Sequence, residues 1–286
     1  MILSPASLTA PLLWPSALAV LAYSLASVWP SAPSSEGQSD AGKPLWAWLC
    51  LGWLAQTVAI ANDLIDWQGS VAQARFGFAT ALSSTTWLVL AVYAVEHRRL
   101  GWPSVRRALA VAAALTCALA WLFPGQPHPN GSSPWAPLHW MLGFASYGLF
   151  GVALLHAVLL RRAERSLRAK PGSGAHVKPV GQVMGMPLLR LEKLTLRFVA
   201  VGFVILSLTL LLGAWFAHPW RWDHKTVFSV MSWVVFAVLL VGRARFGWRG
   251  RQAIGWLTAG STLLFLAYVG SRFVFEVILH RPASAY

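Results

Sequence analysis

The chain is poor in charge. Only 11% of its 286 residues are Asp, Glu, Lys or Arg, and acids number 9 against 23 bases. That is less than half the ~25% share carried by soluble domains. With a hydrophobic content of 57% and a mean hydropathy of +0.57, it excludes an ordinary water-soluble globule. Cysteine is scarce too: Cys50 and Cys117 both fall in apolar stretches, without CxxC or Cys/His metal spacing. A disulfide framework and a zinc site are thereby excluded. Room for a separate soluble domain is also lacking, because eight apolar stretches at about 20 residues each, the length that crosses ~30 Å of hydrocarbon, take up most of the chain. No Walker loop, GxSxG elbow or internal repeat occurs, so nucleotide hydrolysis, serine-hydrolase chemistry and solenoid architectures have no motif to rest on.

What remains is an all-α, polytopic membrane protein. The apolar stretches predict about eight transmembrane helices: Leu8 to Trp29, Pro44 to Ile60, Phe76 to Val95, Ala108 to Phe123, Pro137 to Leu160, Phe198 to Ala217, Thr226 to Val241 and Ala253 to Val277. They form one integral membrane domain over 1–286, with four helices in 1–130 and a second half at 135–286. Basic residues stay on the cytoplasmic side of a bilayer. Most of the 23 Lys and Arg fall on one face: Lys43, then Arg98, Arg99, Arg106 and Arg107, the run from Arg161 to Arg197, and Arg243, Arg245, Arg249 and Arg251. That face is the inner one, and both termini lie outside. Most of the formal charge of +14 is therefore topology, and nucleic acid is not needed to explain it.

The inner loop 161–197 is basic and contains Pro171, Gly172, Ser173 and Gly174, a linker composition. Its second half, Pro187 to Arg197, sets five leucines among basic residues. An interfacial amphipathic helix and an extension of the sixth membrane helix both fit that pattern.

With this orientation, His128, His139, His218, His224 and His280 fall on or near the outer surface, as do Trp67, Trp121, Trp135, Trp140, Trp215, Trp220 and Trp222. His97 and His176 lie in basic inner loops. His156 lies about 25 Å from His139 along the fifth helix, too far to share an ion with it, and hydrogen-bonds within the bundle. Indoles favour both membrane interfaces, so an aromatic belt explains their number. It does not explain the loop Gly213 to Lys225, which concentrates three indoles, two imidazoles, an acid and two bases. A flat, apolar ligand with anionic edges and a central metal would use that combination. In the fifth helix His139, Gly143, Ser146 and Tyr147 share a face. In the eighth, Tyr268, Arg272, Glu276 and His280 recur every four residues. Arg272 and Glu276 can pair there, or Arg272 can anchor a carboxylate while His280 binds metal.

These residues carry a resemblance. Leu138-His139 followed by Phe144-Ala-Ser-Tyr147, Gly213-Ala-Trp215 through Trp220-Arg-Trp-Asp223, Gly247-Trp-Arg-Gly-Arg251 and Tyr268-Val-Gly270, in that order, are similar to the haem-handling cytochrome c assembly proteins. That family includes CcsA/ResC, CcmC and CcmF and the inner-membrane YpjD/HemX branch, and the likeness covers Trp135 to His280. It implies that 135–286 handles haem b on the periplasmic side of the bacterial inner membrane. By position, His139 and His280 match the family's external axial ligands, with His224 as the replacement for His280. Trp215, Trp220, Trp222 and Asp223 match its Trp-rich haem platform, and Arg221, Lys225 and Arg272 supply bases for propionates. Phe216 and Pro219 interrupt the platform, and Leu240-Val-Gly242 stands where the members that carry haem across the membrane have an intramembrane histidine. Both departures incline the likeness toward the YpjD branch.

The resemblance implies a protein that presents haem to apocytochrome c, as part of a holocytochrome c synthase completed by a second membrane subunit. The alternative is a non-catalytic membrane regulator or scaffold of haem metabolism with the same fold. A solute transporter lacks the paired broken helices that fold class uses.

Overall fold

The computed structural model describes residues 10–29, 43–66, 73–96, 103–124, 126–127, 135–168, 182–183, 186–216 and 222–279. All eight apolar stretches are helical within this range. They give α1 (Ala10–Val28), α2 (Lys43–Leu64), α3 (Phe78–Glu96), α4 (Pro103–Leu122), α5 (Ala136–Arg168), α6 (Leu188–Phe216), α7 (His224–Phe246) and α8 (Gly250–Phe265). Seven are long and apolar enough to cross a membrane, and α1 contributes a shorter apolar helix, Trp14–Val28.

Three helices depart most from the hydropathy pattern, each for a physical reason. α5 continues past Leu160 to Arg168, because Arg, Ala, Glu and Leu are strong helix formers whose charge ends the span but not the helix. α6 begins at Leu188, so the leucine-rich, basic segment there extends the sixth helix. The eighth continues past Phe265 through a π-helical turn, Leu266–Gly270, an α turn, Ser271–Phe273, and a second π-helical turn, Val274–Ile278. The bond from Leu279 N–H to the Val274 carbonyl at 2.9 Å spans five residues. Each π turn changes the angular step between successive residues, and the Glu276 side chain and His280 of the four-residue stripe lie outside the described residues.

The chain forms two compact units: one of Met1–Ala91, Gly101–Pro134 and Val269–Tyr286, the other of Val92–Leu100 and Trp135–Tyr268. These differ from the halves 1–130 and 135–286 by two exchanged segments. In the first unit α1 packs against α2 and α4, and Ala19, Tyr23, Ala26, Leu49, Ala113 and Cys117 form its core. Short antiparallel pairings join Ile65–Asp66 to Gln73–Phe76, and the latter to Gln126–Pro127.

In the second unit α5 packs on α6 and α8, α6 on α7, and α7 on α8, closing a ring of four helices. Small residues let the helices approach, since lipid supplies no hydrophobic force between them. A Cβ on Gly260 would stand 2.7 Å from the Phe236 ring, which stacks on Phe150 with centroids 3.9 Å apart. Ser232 Oγ donates to the Gly260 carbonyl at 2.9 Å, and Trp233 Nε1 to Ser207 Oγ at 2.8 Å. Buried His156 has its Nε2 2.9 Å from Glu96 Oε2, a contact within the second unit.

Candidate functional site

The Gly247-Trp-Arg-Gly-Arg251 motif closes the turn from α7 to α8. Gly247 and Gly250 have φ of 66° and 54°, conformations that favour glycine. Trp248 folds back onto Gly242, where a Cβ would lie 2.3 Å from the ring, and stacks on Trp256 at 5.6 Å. Arg243 holds the turn by donating to Glu192 at 3.1 Å and to the Trp248 carbonyl at 3.0 Å. This motif positions helices.

The segments around His139, Gly213 and Asp223 lie at the opposite end of the second unit. His139 lies in the first turn of α5, and its Nδ1 is 3.0 Å from the Thr209 carbonyl of α6. A carbonyl can only accept, so Nδ1 carries the proton and the neutral ring has its lone pair on Nε2. Gly213, one turn beyond Thr209, admits the ring: a Cβ there would stand 2.9 Å from His139 Cε1. The glycine of the Gly213-Ala-Trp215 segment is thus explained by the histidine across from it. A Cβ on Gly143 would stand 4.0 Å from the Thr209 methyl, Ser146 Oγ donates to the Gly143 carbonyl at 2.8 Å, and the Tyr147 hydroxyl donates to the Leu264 carbonyl. The face read from the sequence of α5 is therefore the one turned to its neighbours.

Trp215, in the last turn of α6, is 76% exposed, and Trp222, just before α7, is 68% exposed. Asp223 caps α7, its Oδ1 accepting from Thr226 N–H at 2.7 Å. Burial pushes its carboxyl up, but the hydrogen bonds with Thr226 and the nearby Lys225 and His224 outweigh this and hold it below the ordinary carboxylate value. His224 opens α7 and is exposed. Lys225 follows it, its Nζ 5.8 Å from the centre of the Tyr268 ring and within coulombic reach of His139. His139, Trp215, Trp222, Asp223 and His224 thus lie at helix ends of one unit. Arg272 is half-buried in the Ser271–Phe273 turn of the first unit. Trp220, Arg221 and His280 lie outside the described residues.

The donor set can be tested against the group the resemblance implies. Among the described residues no three His, Cys, Asp or Glu side chains converge as a metal cluster, so a bare ion has no chelating set there. Haem brings four nitrogens of its own and needs one or two imidazoles. A histidine whose second nitrogen is tied to a backbone carbonyl is the usual form of such a ligand. Solvent-facing indoles and a lysine beside it suit a flat macrocycle with carboxylates, so the residues fit. Thr209 was not legible as the orienting partner, because a backbone acceptor has no side-chain signature.

The chain is 31% identical over 188 residues to the inner membrane protein YpjD of Escherichia coli, covering 64% of this chain and 68% of that protein. It is 30% identical over 121 residues to the cytochrome c biogenesis protein CcsA of Thermosynechococcus vestitus, covering 38% of each chain. With CcsA of Prochlorococcus marinus it shares 24% identity over 223 residues, 68% of this chain and 71% of that one. No solved structure matches the chain significantly. Residues 47–279 match the family described as cytochrome C assembly protein, which takes in α3 to α8 and every segment just placed, and the chain belongs to that family.

Proposed function

We propose that the chain is an inner-membrane protein of cytochrome c maturation that binds haem b on the outer face, at the end of the second unit bearing His139. The observation that carries this reading is the imidazole of His139, held by the Thr209 carbonyl against Gly213 with its lone pair on Nε2. His280 is the second axial ligand proposed, and His224 replaces it if His280 does not reach. Trp215, Trp220, Trp222 and Asp223 form the platform, and Arg221, Lys225 and Arg272 serve the propionates. Bound haem supplies the vinyl groups to which the thiols of a Cys-x-x-Cys-His apocytochrome segment add. The chain orients the cargo through His139, covers it with indoles and keeps water from it. The basic run at the other helix ends supports a site on the periplasmic side.

The test is the visible spectrum of the full chain purified in detergent from haem-replete cells. A Soret band is expected, lost in His139→Gly and restored by added imidazole. A wild-type preparation with no Soret band, or a His139→Gly spectrum identical to wild type, would sink the reading.

One observation favours a second reading, a regulator or scaffold that does not carry haem across the membrane. The inner end of α7 has Gly242 covered by the Trp248 ring, so no imidazole fits at that position. Deletion separates the two: an assembly role predicts loss of covalently bound haem from c-type cytochromes, a regulatory one predicts normal content.

A further inference from the structure

Arg161, Glu164 and Arg165, near the C-terminal end of α5, and Arg251, in the first turn of α8, line a cavity of 260 Å³. It lies about 33 Å from His139 along α5, at 1.5 Å per residue. Three features set this cluster apart from a merely solvated basic face. Among the described residues none of its three guanidinium groups has an ion-pair partner, whereas Arg243 is held by Glu192 at 3.1 Å. Arg251 stands at a helix N-terminus, where the macrodipole disfavours a cation; α8 has no acid in its first turn and no side-chain cap. The positive-inside rule asks for arginines near this surface, but not for three of them around one hole. The local charge is that of a site completed by an anion from outside.

The next residues on the same two helices say what kind. Leu160, beside Arg161, and Gly250, beside Arg251, line a narrow apolar crevice together with Leu196, Ile254 and Leu257. We infer that the cavity binds a phosphate oxyanion, with the phosphate of an anionic phospholipid as the favoured source. Its headgroup lies among Arg161, Arg165 and Arg251, and the start of its acyl chain lies against the crevice. Guanidinium forks match phosphate oxygens pairwise, and basic pockets between membrane helices take such headgroups. Glu164 opposes the anion and limits its affinity. The site does not depend on haem.

The experiment titrates the full chain in detergent with dioleoylphosphatidylglycerol, dioleoylphosphatidylcholine, glycerol 3-phosphate or inorganic phosphate, with binding read by native mass spectrometry and tryptophan emission. Saturable binding of the glycerol lipid over the choline lipid is expected. It should weaken about fivefold for each of Arg161→Gln, Arg165→Gln and Arg251→Gln, and tighten in Glu164→Gln, a gain that misfolding cannot produce. If glycerol 3-phosphate or phosphate binds as tightly with the same arginine dependence, the anion site stands and its ligand is soluble. Equal binding of both lipids with no binding of either soluble anion overturns the inference. So does a loss in Arg245→Gln, an exposed arginine outside the cavity, as large as that in Arg161→Gln, because general surface charge then explains the data.

Discussion

The two units use their polar side chains in different ways. In the first, a chain of polar groups centred on buried Gln56 links α1, α2 and α3. Tyr23 donates to Gln56 Oε1 at 2.7 Å, and Gln56 Nε2 to the Ser83 carbonyl at 3.0 Å and its hydroxyl at 3.1 Å. Thr86 and Thr116 hydroxyls meet at 2.8 Å, and Trp87 Nε1 donates to Thr57 at 2.8 Å. In the second unit the packing between helices rests more on aromatic rings over glycines. Its histidine, indoles, acid and lysine gather at one set of helix ends, and three arginines line a cavity at the other. Buried polar networks fix one arrangement of helices; groups at helix ends remain accessible to a ligand. Within the first unit, α1 to α4 have the character of a scaffold; the second unit has that of a site.

A pair of substitutions tests that contrast most severely. His139→Ala should abolish the Soret band while the midpoint of thermal unfolding in detergent stays close to wild type. Gln56→Ala should do the reverse. It leaves Tyr23 and Ser83 facing a hole, at a cost of about 3 kcal/mol, while haem absorbance per folded molecule is retained. Equal haem loss in both variants at matched folded fraction would break the division between scaffold and site.

Gly213→Ala sharpens the comparison inside the site. The added Cβ would lie 2.9 Å from His139 Cε1, with no change to any ligand atom. The ring must tilt away from the Thr209 carbonyl, so haem affinity should fall on the order of tenfold, the scale for a disturbed orienting partner. Haem titration of the apoprotein measures this. Unchanged affinity would mean that His139 is not held by this contact.

Much of this arrangement could be read from residue order, and the remainder could not for identifiable reasons. Hydropathy located the helices because the bilayer imposes one length scale on apolar runs. It mistook the ends of α5 and α6 because it measures solvent, not backbone conformation: Arg161 to Arg168 and Leu188 to Arg197 leave the apolar span and stay helical. Nothing in the apolar composition of Leu266–Gly270 or Val274–Ile278 announces a π turn. His139 was legible from its segment and its place on α5. Thr209 was not, and the arginine cavity was concealed by the topology rule that accounts so well for basic residues on that face.

The smallest expected effect concerns the cap of α7, which orients the turn bearing His224 and Lys225. Asp223 is exposed and titrates below the ordinary carboxylate value, because its bonds with Thr226 and its neighbours Lys225 and His224 outweigh burial. A carboxyl with a depressed folded value stabilises most at a pH above its unfolded value of ~3.9, and loses that contribution as pH falls through the folded value. Asp223→Ala should therefore lower stability near neutral pH by about 1 kcal/mol or somewhat less, since water screens an exposed cap. The gap to wild type should close as pH is lowered below 3.9. Asp223→Asn keeps a capping oxygen without the charge, so its stability relative to Asp223→Ala should not vary through that range. Thermal unfolding in detergent across the acid range measures both. A gap that persists at the lowest pH would mean that the carboxylate is not what the cap depends on, and that α7 starts where it does because of packing within the second unit.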